Sequence, residues 1–517
     1  MTSGAQLLAD AIRNAGVRTV FNLSGNQIMP LYSPLVDAGI DLLHVRHEAA
    51  AVHMADAWSR LTEQPSLVLL TAGPGHANAL GATYVARMAE SPVVILSGAS
   101  ELSRAGQGAF QEIDQAGMAK RVAKAAWLSR NPARLGDDLA RAFRLAATGR
   151  PGPVSLSLPA DVLRADAGGA AAPPSRAFRA RRATASDTDA RALLETIGRA
   201  RRPLLLAGPA VARGSGWTLV RRLAERTGAP ALPMDSSRGA NDPTLGGVRT
   251  IFPKADLAVL VDRDPDFSLG FGRPPVFAPD VRLVRTSRAV VERAIGLPGA
   301  SPTGTAWAEK VAAAMRLGRE TWPAVEASSD VPMHPLRLVA GVRAHMQPGD
   351  VFVSDGGEFG QWAQAGAASL DPSPDRVVNG PSGAIGAAIP FAIGAALARP
   401  DARIFAFQGD GACAYHLTEV DTAVRRNLPF VLTIGNDGKW NAEVQIQRNL
   451  GGAPLDCLEL GPVRYDRAAA GLGAHGEWLT RPDEVDGAVR RALATGKPAV
   501  LNALIQGIAA PTFGSAH

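Results

Sequence analysis

Two apolar runs in the last third of the chain, Ile404–Gln408 and Pro429–Gly435, each stop at a polar turn. The first ends in Gly409-Asp410-Gly411 and the second in Asn436-Asp437-Gly438. Open parallel sheets bind their ligands at the carboxyl ends of strands. At such an edge Asp410 offers a carboxylate oxygen, Asn436 an amide oxygen and Gly438 a backbone carbonyl. Hard oxygen donors of this kind suit a Mg²⁺ ion that also holds a phosphorylated ligand. Gly409 and Gly411 allow close backbone approach, and a helix opening at Ala412 would aim its N–H groups at an anion. Either turn alone is ordinary loop chemistry. Their joint occurrence, one helix length apart, points to a shared edge for a metal and a diphosphate. Between them Leu417, Val420 and Val424 recur at helical spacing, so strand, helix and strand are expected as one crossover unit.

The elements that position these turns follow a pattern set by the whole sequence. A chain of 517 residues exceeds one ordinary core. Short apolar runs alternate with helical patterns over 1–165, again over 188–325 and again over 334–510, with an Ala/Pro/Gly/Arg-rich linker at 166–187. That alternation predicts an α/β protein with three doubly wound parallel-sheet domains. A net charge of +6 is mild for this length, and no basic face with interleaved aromatics occurs, so no nucleic-acid partner is expected. No apolar stretch reaches the roughly 18 residues of a membrane span. The N-terminal segment reads as an amphipathic helix rather than a leader. The only cysteines, Cys413 and Cys457, lack metal-type spacing and are expected as reduced thiols, which with the other features places the protein in the cytoplasm.

Gly-Asp-Gly followed one crossover later by Asn resembles the signature of thiamine-diphosphate-dependent enzymes. The likeness is to the branch holding acetolactate synthase, 2-hydroxyacyl-CoA lyase, benzaldehyde lyase and pyruvate decarboxylase. It extends to Arg46–Arg60, Leu69–Leu80, Phe110–Trp127 and Gly149–Val162 in the first domain, Leu269–Val284 in the middle one and Gly380–Ala398 in the last. The resemblance implies a pyrimidine-binding, a central and a diphosphate-binding domain, with thiamine diphosphate and Mg²⁺ as cofactors. It implies Glu48 against the aminopyrimidine ring, where a carboxyl group promotes loss of the thiazolium proton. Ile385 would wedge beneath the bent cofactor and the carbonyl of Gly383 would face its amino group. Asp355 is expected on the diphosphate side with Gly409, Asp410, Gly411 and Ala412, and the metal on Asp410, Asn436 and Gly438. A site shared between two subunits implies a homodimer at least, with a homotetramer as the expected assembly.

At the substrate end the resemblance places Asn26, Gln27, Phe110, Gln111 and Trp440. Gln27 stands where decarboxylases carry an acid and benzaldehyde lyase a histidine, and an amide can orient groups but not carry protons. Together with Glu48, Gln27 and Gln111 are the expected catalytic residues. The paired histidines of pyruvate decarboxylases are absent. Decarboxylation of a 2-oxo acid with ligation to a second carbonyl is therefore expected. The alternatives are cleavage of an acyloin (a 2-hydroxy ketone) or a 2-hydroxyacyl-CoA, or a non-catalytic cofactor-binding protein of the same fold. In the middle domain Asp262–Asp266 and Arg285–Ala289 replace the residues with which relatives hold FAD or ADP, so that nucleotide site is expected to be weakened or lost.

Overall fold

The computed structural model describes residues 2–299, 305–317, 319–367 and 375–511. Three sheets are present, and every strand pairing in them is parallel. The first contains β1 (Thr19–Asn22), β2 (Asp41–His44), β3 (Ser66–Leu70), β4 (Val93–Ala99), β5 (Ala125–Leu128) and β6 (Val154–Pro159), in the order β2-β1-β3-β4-β6-β5. The second contains β7 (Pro203–Ala207), β8 (Ala231–Pro233), β9 (Leu257–Val261) and β10 (Arg282–Thr286), in the order β10-β9-β7-β8. The third contains β11 (Val351–Ser354), β12 (Arg376–Val378), β13 (Ile404–Gly409), β14 (Val431–Asn436), β15 (His475–Leu479) and β16 (Ala499–Leu504), ordered β12-β11-β13-β14-β16-β15. The expected α/β class with three parallel sheets is what the chain adopts.

Strands covered on both faces read as unbroken apolar runs, which is why β3, β4, β13 and β14 stand out in the sequence. In the central sheet Leu204, Leu206, Ala258 and Leu260 enter one core, while Leu205, Val259 and Val261 enter another on the opposite face. This is the two-residue alternation of extended backbone.

The chain divides into two compact units, Met1–Ala183 with Ile393–Ala398, and Thr184–Ala392 with Arg399–His517. Within the first, part of the expected linker is anchored. Ser175–Phe178 forms a 3₁₀ turn, and Phe178 is buried edge-to-face on Phe143 with ring centroids 5.7 Å apart. Arg179–Thr184 beyond it is exposed. Within the second unit Arg376 on β12 donates to Asp235 beyond β8 at 2.9 and 3.0 Å, tying the central and third sheets. Among the described residues no helix is long and apolar enough to cross a membrane.

Candidate active site

In the second unit β13 and β14 pair with Gly409 opposite Gly435, so Asp410 and Asn436 leave the sheet side by side. Asp410 is buried. Its carboxylate accepts backbone N–H groups of Gly411, Gly438 and Lys439, yet Oδ2 has no hydrogen-bond partner. Asn436 is fully buried, and its Nδ2 donates to the Val463 carbonyl at 2.9 Å and to Asn502 Oδ1 at 3.0 Å. Those bonds fix the amide so that Oδ1 is left without a partner. Two adjacent buried oxygens with nothing to accept are costly unless something else fills them. One carboxylate and one amide oxygen form a hard donor set, and they fit a divalent cation of the Mg²⁺ type. Among the described residues no group of three His, Cys, Asp or Glu side chains could hold a metal, so any cation here relies on this mixed oxygen set.

Burial pushes the Asp410 carboxyl up to about 6 against the opposing N–H donors. Asp437 is pushed up to about 7, by burial first and then by the neighbouring Asp410 charge. Gly438 differs from its expected role. Its carbonyl already accepts from Leu460 N at 2.6 Å and Gly461 N at 3.0 Å, which uses both lone pairs. The segment Leu460–Gly461 must release that oxygen before it could ligate. The helix expected between the two turns is also divided. Asp410–Cys413 (α4) makes one turn, Tyr415 N and Glu419 N then bond back only three residues, and Glu419–Arg425 (α5) follows. A helix N-terminus therefore begins at Asp410 itself rather than after it.

Gly409, Asp410, Gly411, Ala412, Ile385 and Trp440 line one cleft with Asp437, Lys439 and Glu443. The Trp440 ring covers Gly411 and precedes the helix Asn441–Asn449. Gly383 lies on the approach to Ile385 in the left-handed conformation, at φ 72°. Asp355 does not line this cleft. It is wholly buried, and its carboxylate accepts from Gly356 N at 2.8 Å, Gly386 N at 2.8 Å and Gln408 Nε2 at 2.5 Å. Nothing of it is left to face a diphosphate.

In the first unit Glu48 is the first residue of α1 (Glu48–Thr62), capped by His47, whose Nδ1 accepts from Ala49 N at 3.1 Å. Glu48 is 8 % exposed, and its Oε2 accepts from Asn78 Nδ2 at 3.1 Å. Asn78 closes α2 (Pro74–Asn78), which the Gly73-Pro74-Gly75 turn launches from the end of β3. That turn presses on both halves of the site. A methyl on Gly75 would sit 3.1 Å from Glu48 Oε1, and one on Gly73 would sit 2.8 Å from Gln111 Cβ.

Gln111 itself has φ 59°, a left-handed backbone uncommon outside glycine, held by this packing. Thr71 Oγ1 donates to Gln27 Oε1 at 2.9 Å, and Gln27 Nε2 donates to Gln111 Oε1 at 2.9 Å. Thr71, Gln27 and Gln111 thus form one relay next to Glu48. Phe110 is exposed (71 %), and Asn26 is exposed on the turn Asn26–Ile28. Gln115 ties the shell from behind, accepting from Gly73 N at 2.9 Å and donating to the Gly98 carbonyl at 2.8 Å. Burial lowers His76 to about 4, so it is neutral at physiological pH, bonded to Ser97 Oγ at 2.8 Å.

Thr71, Asn78 and Gln115 are site residues that the sequence reading misses. The Gly-Pro-Gly turn after an apolar run is the available signal for the first two. Gln115 gives none, because its role depends on contacts with distant strands.

In the central sheet the chain after β7 and the chain after β9 approach each other closely. A methyl on Gly208 would lie 2.5 Å from the Asp262 carbonyl. Buried Arg263 donates to Asp266 and Ser268, and Asp262 Oδ2 accepts from Arg288 N at 3.2 Å.

Parallel sheets whose carboxyl edges carry a buried acid at a helix start in one unit and an unsatisfied oxygen pair in the other suit an α/β enzyme that holds a diphosphate cofactor. Comparison with known proteins gives the family. Residues 2–118 match the thiamine pyrophosphate enzyme N-terminal TPP binding domain, and residues 355–503 match the corresponding C-terminal TPP binding domain. A probable acetolactate synthase of Mycobacterium bovis is 33% identical over 96% of this chain and 95% of its own length. The acetolactate synthase large subunit of Mycobacterium tuberculosis gives the same figures, 33% over 96% and 95%. The human 2-hydroxyacyl-CoA lyase 2 is 29% identical over 97% of this chain and 90% of its length. The chain belongs to the thiamine pyrophosphate enzyme family and is acetolactate-synthase-like.

Proposed function

We propose that this protein is a thiamine-diphosphate- and Mg²⁺-dependent carboligase of acetolactate-synthase type. It decarboxylates a 2-oxo acid such as pyruvate and joins the resulting acyl fragment to a second carbonyl. The observation that carries the carboligase reading is the neutral amide relay Thr71–Gln27–Gln111 beside Glu48. Thiamine diphosphate supplies, when bound, an electron sink for bonds made or broken beside a carbonyl. Asp410 and Asn436 hold the cation through their open oxygens, and the backbone of Gly409–Ala412 takes the diphosphate. The Glu48 carboxyl, positioned by Asn78, is the group that would exchange a proton with the cofactor. Gln27 and Gln111 orient substrate oxygens and pass no proton, which disfavours release of a free aldehyde and leaves a second carbonyl as the acceptor.

Cleavage of an acyloin or 2-hydroxyacyl-CoA uses the same groups in reverse, and the similarity to 2-hydroxyacyl-CoA lyase 2 favours it as the second reading. A non-catalytic cofactor-binding role is disfavoured by the buried acid and oxygen pair, both in place. Loading the purified protein with thiamine diphosphate and Mg²⁺ and screening 2-oxo acids, acyloins and acyl-CoA esters by mass spectrometry separates these readings. Carbon dioxide with a 2-hydroxy ketone from 2-oxo acids is expected; cleavage products alone would establish the lyase.

The assembly we propose is a homodimer at least, with a homotetramer expected. Exposed Phe110 supports a covering partner surface, and light scattering tests it. The close approach of the chain after β7 and the chain after β9 supports the absence of FAD or ADP there, which absorbance of the purified protein checks. A cytoplasmic setting accords with two free cysteines, Cys413 and Cys457.

A further inference from the structure

We propose that Asp355 is a positioning residue: its buried carboxylate fixes the turn that carries Ile385 and so sets the shape in which the cofactor is held. The proposal rests on the thiamine-diphosphate reading of the cleft. Asp355 follows β11, its side chain is 0% exposed, and its carboxylate is engaged by protein alone. It accepts from Gly356 N at 2.8 Å, from Gly386 N at 2.8 Å and from Gln408 Nε2 at 2.5 Å, and it also bonds the backbone of Ala388. On the other side of Ile385, Asn379 Nδ2 donates to the Ala384 carbonyl at 2.8 Å, and Ser382 Oγ accepts from Ala384 N at 3.2 Å. Ile385 is therefore the one residue between two gripped neighbours, and it alone of the three lines the cleft.

The backbone behind the turn is equally tight. A methyl on Gly356 would lie 2.7 Å from the Ala384 carbonyl and 3.0 Å from Ile385 Cγ2. Gln408 adds a second anchor. It sits on β13 two residues before Asp410, so one carboxylate links the Ile385 turn to the strand that presents the proposed metal ligand. The span between the diphosphate edge and the apolar support is thus set by a buried carboxyl group that touches neither. A bent cofactor needs that span held closely, because small misplacements of a reacting group cost rate steeply. A residue that merely stabilised the fold would change melting temperature and cofactor affinity together. A positioning residue changes proton loss from the cofactor's thiazolium carbon while leaving diphosphate binding in place.

The test compares wild type with Asp355→Asn, which keeps size and turns one acceptor into a donor facing N–H groups. Three quantities are read: melting temperature without cofactor, thiamine diphosphate uptake with Mg²⁺ by calorimetry, and deuterium exchange at the thiazolium carbon by quenched NMR. Exchange slowed by about 100-fold, with uptake held within about threefold, is the expected result. Exchange unchanged in a folded, cofactor-loaded variant would overturn the inference while leaving the proposed function standing. Wild-type protein that takes up no thiamine diphosphate would overturn both. Should Asp355→Asn not fold, Asn379→Ala, which releases the turn from its other side, decides by the same readings.

Discussion

The first and third sheets have the same strand order, β2-β1-β3-β4-β6-β5 and β12-β11-β13-β14-β16-β15, so their carboxyl-end loops correspond one to one. The loop after β3 is the Thr71–Gly75 turn, and its counterpart after β13 is Gly409–Ala412. Glu48 follows β2, and the Ile385 turn follows β12. Gln27 lies beyond β1, and Asp355 beyond β11. The two edges nevertheless end in opposite states. In the first, Thr71, Gln27 and Gln111 hydrogen-bond in one chain, and Asn78 bonds Glu48. In the third, Asp410 Oδ2 and Asn436 Oδ1 are buried with no partner. A neutral relay can be completed by protein alone, whereas buried oxygens with no donor stay unsatisfied until something outside the protein fills them. On the proposed function, the difference separates the edge that would recruit the cofactor from the edge that would act on it.

The largest expected effect tests the unsatisfied edge. Asp410→Ala should weaken thiamine diphosphate and Mg²⁺ uptake by at least about 100-fold, since removal of a ligand exceeds the roughly 10–100-fold cost of losing its supporting bonds. Calorimetry reads it. Next, Glu48→Gln keeps the bond from Asn78 but removes the proton-holding group. Turnover should fall by about 10²–10⁴-fold while cofactor uptake stays within about threefold; turnover equal to wild type would refute the assignment of Glu48.

A third prediction concerns pH. A cation requires an ionised ligand and is favoured by an ionised neighbour, and burial holds the ligand Asp410 at about 6 and its neighbour Asp437 at about 7. Metal uptake should therefore weaken as pH falls through that range, by about tenfold per unit for each proton displaced. The metal-free protein responds with the opposite sign. A folded pKa above the ordinary value means that the stability Asp410 contributes is present at low pH and lost as pH rises through about 6. Asp410→Asn should then melt higher than wild type without metal near pH 8, by up to about 3 kcal/mol. Equal melting of the two proteins would show that the edge is not under electrostatic strain.

The smallest effect belongs to the satisfied edge. Gln27→Ala should lower kcat/KM by about 10-fold, through loss of about one hydrogen bond's worth of orientation, with cofactor uptake untouched.

Much of the third sheet's edge is legible in the sequence because β13 and β14 are unbroken apolar runs, and the polar turn that stops each run marks where the chain leaves the sheet. Glu48 is legible only through its neighbours in sequence. Strands β12 and β15 are not, since a three-residue Arg-Val-Val and a polar His475–Leu479 carry no such pattern. The Gly438 carbonyl is expected as a ligand from its distance along the chain, but it is occupied by Leu460 and Gly461, and sequence spacing does not report contacts made by a returning loop. Asp355 departs from its expected place for a related reason. Proximity to a strand end is readable, but which way the side chain turns depends on Gly386 and Gln408, brought in from two other segments.

The exposed, arginine-bearing tether after Phe178 offers a protease its cut before either unit loosens. Trypsin should cut first between Arg179 and Arg182, leaving a front segment that ends on its own aromatic clasp. Beyond the cut the central and third sheets should stay joined, because the Arg376–Asp235 clamp links them through side chains rather than along the backbone.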